Sequence, residues 1–100
     1  MEINIQFIKM QTSETMEAFA IKKLNKLAKH YDWVIKAVVS YKLENDPRRR
    51  GRICEIELSA PGPRLFARSV ADNFEVATDQ TIRDLETQLK KRKADMRSHL

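Results

Sequence analysis

The apolar residues of this 100-residue chain change period along its length, from two to about 3.6, back to two, and to about 3.6 again. That order of periods restricts the fold more than any other feature. Residues 2–9, EINIQFIK, alternate with Ile3, Ile5 and Phe7 on one side, as in a half-buried strand. In QTSETMEAF, Ser13 is a candidate N-cap, and Glu14 and Glu17 fall where a helix dipole favours negative charge. Met16, Ala20, Leu24, Leu27 and Tyr31 then form one helical stripe, and the helix runs to His30. Residues 33–44 alternate again, with Ile35, Ala37, Val39, Tyr41 and Leu43 on one face and Val34, Lys36, Val38, Ser40 and Lys42 on the other. DPRRRG at 46–51 is a turn, and RICEIELSA at 52–60 returns with Cys54, Ile56, Leu58 and Ala60 inward. PGP at 61–63 turns the chain into RLFARSV, with Leu65 and Ala67 opposite Arg64, Phe66 and Arg68. A last helix starts at Asp72 or Asn73 and runs to about Arg97, with Thr78, Ile82, Leu85, Leu89 and Met96 on its stripe.

The resulting order is βαβββα. A strand, helix and strand imply a right-handed parallel crossover, and the two later links are short enough for hairpins. The expectation is an α+β two-layer sandwich: a four-stranded mixed sheet with both helices on one face, resembling a double-stranded RNA-binding domain. Residues 1–100 read as a single domain, and 42% hydrophobic residues can build one core. Two Gly and three Pro argue against a linker-rich chain. The N-terminus reads as a strand and not as a signal peptide, and no apolar run approaches the roughly 20 residues that cross a bilayer. The chain therefore reads as a soluble, cytoplasmic protein of a reducing compartment, without a membrane partner.

Reactive groups do not converge in the sequence. Cys54 falls inside a strand, where a buried thiol is inert. His30 lies at a helix end and His99 in the tail, neither at a spacing that suggests a triad or a metal site. Glu55 and Glu57 share the outer face of a strand, and pairing with Lys42 or Arg64 across the sheet explains them without catalysis. Two glycines cannot form a phosphate-cradling loop. No enzyme, cofactor, metal or small-molecule substrate is expected.

What remains is positive charge, a net +5. Residues 48–68 carry six Lys and Arg against two acids, and residues 83–100 carry six against three. On the first helix, at about 100° per residue, Lys22, Lys26 and Lys29 lie opposite the core stripe, with Lys23 at its boundary. On the last, Arg83, Lys90 and Arg97 form a row at intervals of seven, with Lys91 also outward. Arg92 and Lys93 lie near the core side, but a helix running past the sheet would put both in water. One or two cations satisfy a helix C-terminus, a surface effect of roughly 0.3–1 kcal/mol. The four consecutive cations of QLKKRKADMR, with Arg97 beyond them, exceed that need and suit phosphate binding. Arg48, Arg49, Arg50 and Arg52 are either a second contact or a solvated loop, and Phe66 between Arg64 and Arg68 either stacks on a base or is a lone exposed ring. On these residues the reading stops at an RNA- or DNA-binding domain that reads shape more than sequence. The alternatives are a general double-stranded RNA-binding module and a protein-interaction domain using Val34, Val38, Ile53 and Phe66 of the open sheet face.

FAIKKLNKLAKHYDWV at 19–34 and IRDLETQLKKRK at 82–93, in the βαβββα order, resemble the ribosome hibernation promoting factors, a family that includes the ribosome-associated inhibitor A type. The matching positions are Phe19, Lys23, Lys26, Leu27, Tyr31 and Asp32, then Asp79, Ile82, Leu85, Gln88, Leu89, Lys91 and Lys93. The resemblance implies binding of the small ribosomal subunit and its ribosomal RNA near the mRNA and tRNA sites. It also implies silencing of translation in stress or stationary phase. By position, Lys23, Lys26, Lys91 and Lys93 match the family's basic residues, and Arg83 stands where Lys is common. Lys22, Lys29, Lys90, Arg92 and Arg97 are added by helix geometry. NFEVATD at 73–79 departs from the family's Asp-x-Tyr-Ala-x-Ile-Asp, with Glu75 for the aromatic and Thr78 for Ile. The chain looks like a short form, expected to be a monomer off the ribosome.

Overall fold

The computed structural model of the chain describes residues 1–44 and 51–98. Its elements are β1 (Glu2–Phe7), α1 (Glu14–His30), β2 (Lys36–Leu43), β3 (Arg52–Ser59), β4 (Leu65–Ala71) and α2 (Phe74–Ser98). The order is the one the periods dictate. Ser13 starts α1: its hydroxyl accepts from the Met16 amide at 3.2 Å and its carbonyl from the Glu17 amide at 3.0 Å. Of the two candidates for α2, Asn73 is the cap, its Oδ1 accepting from the Val76 amide at 2.8 Å. The turn at 46–50 and His99 lie outside the described residues.

The strands lie in the order β1-β2-β3-β4, the first pair parallel and the other two antiparallel. Register stacks the core face into rows across the sheet: Ile3, Ala37, Leu58 and Leu65; Ile5, Val39, Ile56 and Ala67; Phe7, Tyr41, Cys54 and Ser69. Met16, Ala20, Leu24 and Leu27 of α1 and Ala77, Ile82, Leu85 and Leu89 of α2 join the same core cluster. Both helices therefore cover one face, and the other is open. Polar groups enter this core in pairs. The Tyr41 hydroxyl lies 2.7 Å from that of Thr78, which donates to the Phe74 carbonyl at 2.7 Å. Thr81 donates to the Ala77 carbonyl at 2.8 Å and reaches the Cys54 carbonyl at 3.2 Å. The Phe74 ring packs edge-on against Tyr41 with centroids 5.2 Å apart.

Several expected positions differ. The second strand begins at Lys36, not Trp33, because residues 32–33 form a turn that leaves the Val34 amide bonded to the Tyr31 carbonyl at 3.1 Å. Alternation does not hold across that turn, so Val34 is buried and Ile35 is 63% exposed. Leu43 keeps the inward parity but lies beyond the helices and is 49% exposed. Met96 is exposed for the same reason at the other end, where α2 has outrun the sheet. Ile53 faces away from the helices yet is only 4% exposed. The first strand ends at Phe7, and the chain turns through Lys9 at a φ of 55°.

Candidate nucleic-acid interface

Sheet topology sets the direction of both helices. β4 is antiparallel to β3, which is antiparallel to β2, so β1, β2 and β4 all run the same way. α1 returns from the end of β1 to the start of β2, and α2 leaves the corresponding end of β4. The helices thus run side by side in one direction, and their electronegative C-terminal ends point the same way. Lys29 and His30 close α1, and Arg97 lies in the last turn of α2.

Three depressions divide the expected basic residues. A groove of about 390 Å³ between the helices is lined by Lys23, Lys26, Leu27 and His30 of α1 and by Asp79, Ile82, Arg83 and Glu86 of α2. Cations from the two helices do converge here. Further along, Lys90, Lys93 and Arg97 surround Tyr31 and Ala94 in a shallow hollow of about 560 Å³. Lys91 and Arg92 line a third hollow on the flank toward β4, with Leu65, Gln88 and Asp95. Lys22 and Lys29 are exposed on α1 and line none of the three.

The cations are not equivalent. Lys23 pairs with Asp79 at 3.4 Å and lies 5.4 Å from the centroid of the Phe19 ring. Lys90 pairs with Glu86 one turn back at 3.7 Å. Lys93 is not in open water as expected: it is half-buried, 5.6 Å from the centroid of the Tyr31 ring, which fixes its stem along an apolar surface. Arg92 departs further from the expectation. Its guanidinium donates to the Pro61 carbonyl at 3.3 Å and to the Pro63 carbonyl, tying α2 to the β3–β4 turn. Gln88 adds a bond from Nε2 to the Phe66 carbonyl at 2.9 Å. Arg92 therefore anchors the projecting end of α2, while Lys90, Lys91 and Arg97 present their charges outward.

The open sheet face offers less charge. Glu55 pairs with Lys42 at 2.8 Å and Arg68 at 3.4 Å, and Glu57 with Arg64 at 2.8 Å. Phe66 is 53% exposed between those pairs. With Val34 and Ile53 buried, the apolar patch expected on this face shrinks to Val38 and Phe66. Arg48, Arg49 and Arg50 lie outside the described residues. Cys54 is buried, and burial pushes its thiol up from the ordinary value, so it is held as the inert neutral form.

Reading one helix at a time missed Asp79, Glu86 and His30 as groove residues. The signal for Asp79 and Glu86 was the i, i+3, i+7 spacing of Asp79, Ile82 and Glu86 along one edge of α2, which shares the groove with Arg83; His30, at the end of α1, carries no such signal.

The family model described as "Sigma 54 modulation protein / S30EA ribosomal protein" matches residues 3–97. No curated protein matches the chain. Among solved structures, one described as a ribosomal subunit interface protein from Coxiella burnetii is similar with a TM-score of 0.84 at 22% identity, over 94% of this chain and 99% of that one. The N-terminal domain of Protein Y from Thermus thermophilus is similar with a TM-score of 0.77 at 23% identity, over 91% and 98% respectively.

Proposed function

The chain belongs to the Sigma 54 modulation protein / S30EA ribosomal protein family, and on that footing we propose that it binds the small ribosomal subunit near the mRNA and tRNA sites and silences translation under stress or in stationary phase. The contact is with ribosomal RNA, made by α1 and α2 and not by the sheet. One observation carries this reading: two helices of common direction bring Lys23, Lys26 and Arg83 into one groove and set Lys90, Lys93 and Arg97 just beyond it. Spaced cations on a rigid frame match a phosphate backbone, and Lys26, Lys91, Lys93 and Arg97 of the helices have no carboxylate partner among the described residues, whereas Lys42, Arg64 and Arg68 of the open face all engage Glu55 or Glu57. The protein acts by occupancy, without catalysis. The description of a similarly folded protein as a ribosomal subunit interface protein favours the same partner.

The purified protein should cosediment with small subunits at low salt and be released as salt rises. Replacing Lys90, Lys91 and Lys93 together by Glu should weaken binding and flatten the salt slope by roughly 0.7–0.9 for each phosphate no longer neutralised. An unchanged slope would remove these residues from the interface. Absence of cosedimentation at any salt would overturn the reading itself.

A further inference from the structure

The groove between the helices is not uniformly positive. Lys23, Lys26 and Arg83 bring three positive charges to it, and Asp79 and Glu86 bring two negative ones. A groove shaped for phosphate affinity only would exclude carboxylates, because each repels a polyanion. Stability does not explain Asp79. Its pair with Lys23 is an exposed one, with side chains 39% and 38% accessible, and such pairs contribute little to folding. Lys23 also has a second support in the Phe19 ring. Glu86 is directed to Lys90. Lys23 approaches Asp79 at Oδ1, and the Asp79 side chain, 38% accessible, has no second ion-pair partner among the described residues. The carboxylate is therefore still open to a further donor in a groove whose rims are cationic.

A ligand suited to this arrangement carries a phosphate and, close beside it, a hydrogen-bond donor. The ribose 2′-hydroxyl supplies that donor, and an A-form helix displays it along a wide, shallow minor groove. DNA offers the phosphate without the donor. We propose that Asp79 determines the specificity of this groove for RNA over DNA, its carboxylate accepting from a 2′-hydroxyl while Lys23, Lys26 and Arg83 hold the adjacent phosphates. In a deoxy strand the same carboxylate faces phosphate with nothing to bond, so one residue favours the ribo ligand and disfavours the other. The assignment rests on the RNA-binding reading above but names a residue and a chemical distinction that the reading does not require.

The test compares a ribo duplex with a deoxy duplex of the same sequence and length, bound to the full chain at matched salt and followed by fluorescence anisotropy. The wild-type protein should favour the ribo duplex by about ten-fold, the scale of one hydrogen bond to a charged acceptor. Asp79→Ala should bring the ratio near one. A variant that weakens both duplexes equally would mean that Asp79 only positions Lys23, and one that strengthens both equally would mean that it only balances charge. Either result overturns the proposal. If Asp79→Ala does not fold, Asp79→Asn, similar in shape and a weaker acceptor, must lower the ratio, and an unchanged ratio overturns the assignment. Equal wild-type affinity for the two duplexes, or binding to neither, also overturns it, and cosedimentation with small subunits then reports on the ribosomal reading separately.

Discussion

Tyr41 brings a phenol into the fully buried part of the core, and Thr78 receives it. Because the single Thr78 hydroxyl hydrogen goes to the Phe74 carbonyl, the Tyr41 hydroxyl is the donor between the two. The two possible deletions are therefore unequal. Tyr41→Phe removes one donor and should cost about 0.5–1.5 kcal/mol, whereas Thr78→Val strands a buried phenol and should cost about 1–3 kcal/mol. Urea unfolding of the two variants checks this, and equal losses would contradict the direction of donation. Ionisation of the same cluster sets an alkaline limit. Burial raises the Cys54 thiol above its ordinary 9.0 and the Tyr41 phenol above its ordinary 10.0. Above those ordinary values the unfolded chain releases protons that the folded chain retains, so these groups lower stability as pH rises from about 9 through the raised folded values. The urea midpoint should be lower at pH ~10.5 than at pH ~8, and Cys54→Ala should remove the earlier part of the fall. Arg92 shows why one residue was illegible in the sequence. Its acceptors are two main-chain carbonyls in a proline turn, which leave no side-chain signature, so a tethering arginine and a solvated one read alike.

At the scale of elements, periodicity specified more than individual positions did. Met16, Ala20, Leu24, Leu27 and Tyr31 were legible because a helix packed on a sheet must keep one face apolar, and all five are buried. The same rule misjudged Leu43 and Met96. Period reports which way a residue points, not whether a partner element extends far enough to cover it. Leu89 and Met96 of α2 make this measurable. Leu89→Ala should cost about 2–5 kcal/mol by opening a cavity over the sheet. Met96→Ala should stay within about 0.5 kcal/mol, although both residues lie on one stripe. Thermal or urea unfolding of the pair would separate a helix buried to its end from one that projects. The pairing of Lys23 with Asp79 was equally hidden, since the partners sit on different helices and neither element's pattern refers to the other.

Taken whole, the molecule measures 51 × 26 × 18 Å, and its length reflects α2, whose 25 residues span about 37 Å. The βαβββα order and the mixed sheet followed from the sequence because each link length permits few connections. The convergence of the two basic helix faces did not follow from either face, and depends on strand direction, which only pairing fixes. Parallel pairing of β1 with β2 has a further consequence, for the order of events during folding. β2, β3 and β4 follow one another at short sequence separation, and α2 packs directly on the strands that precede it, so that part closes at low entropic cost. Pairing of β1 with β2 instead requires the whole of α1 to be laid across the sheet, which predicts that it forms late. Ile56→Val in β3 should accordingly slow refolding, while Ile5→Ala in β1 should mainly speed unfolding, as stopped-flow chevrons would register. On that prediction the first of these four strands to be synthesised is the last to find its neighbour. It waits with unpaired backbone groups until the rest of the sheet offers it an edge.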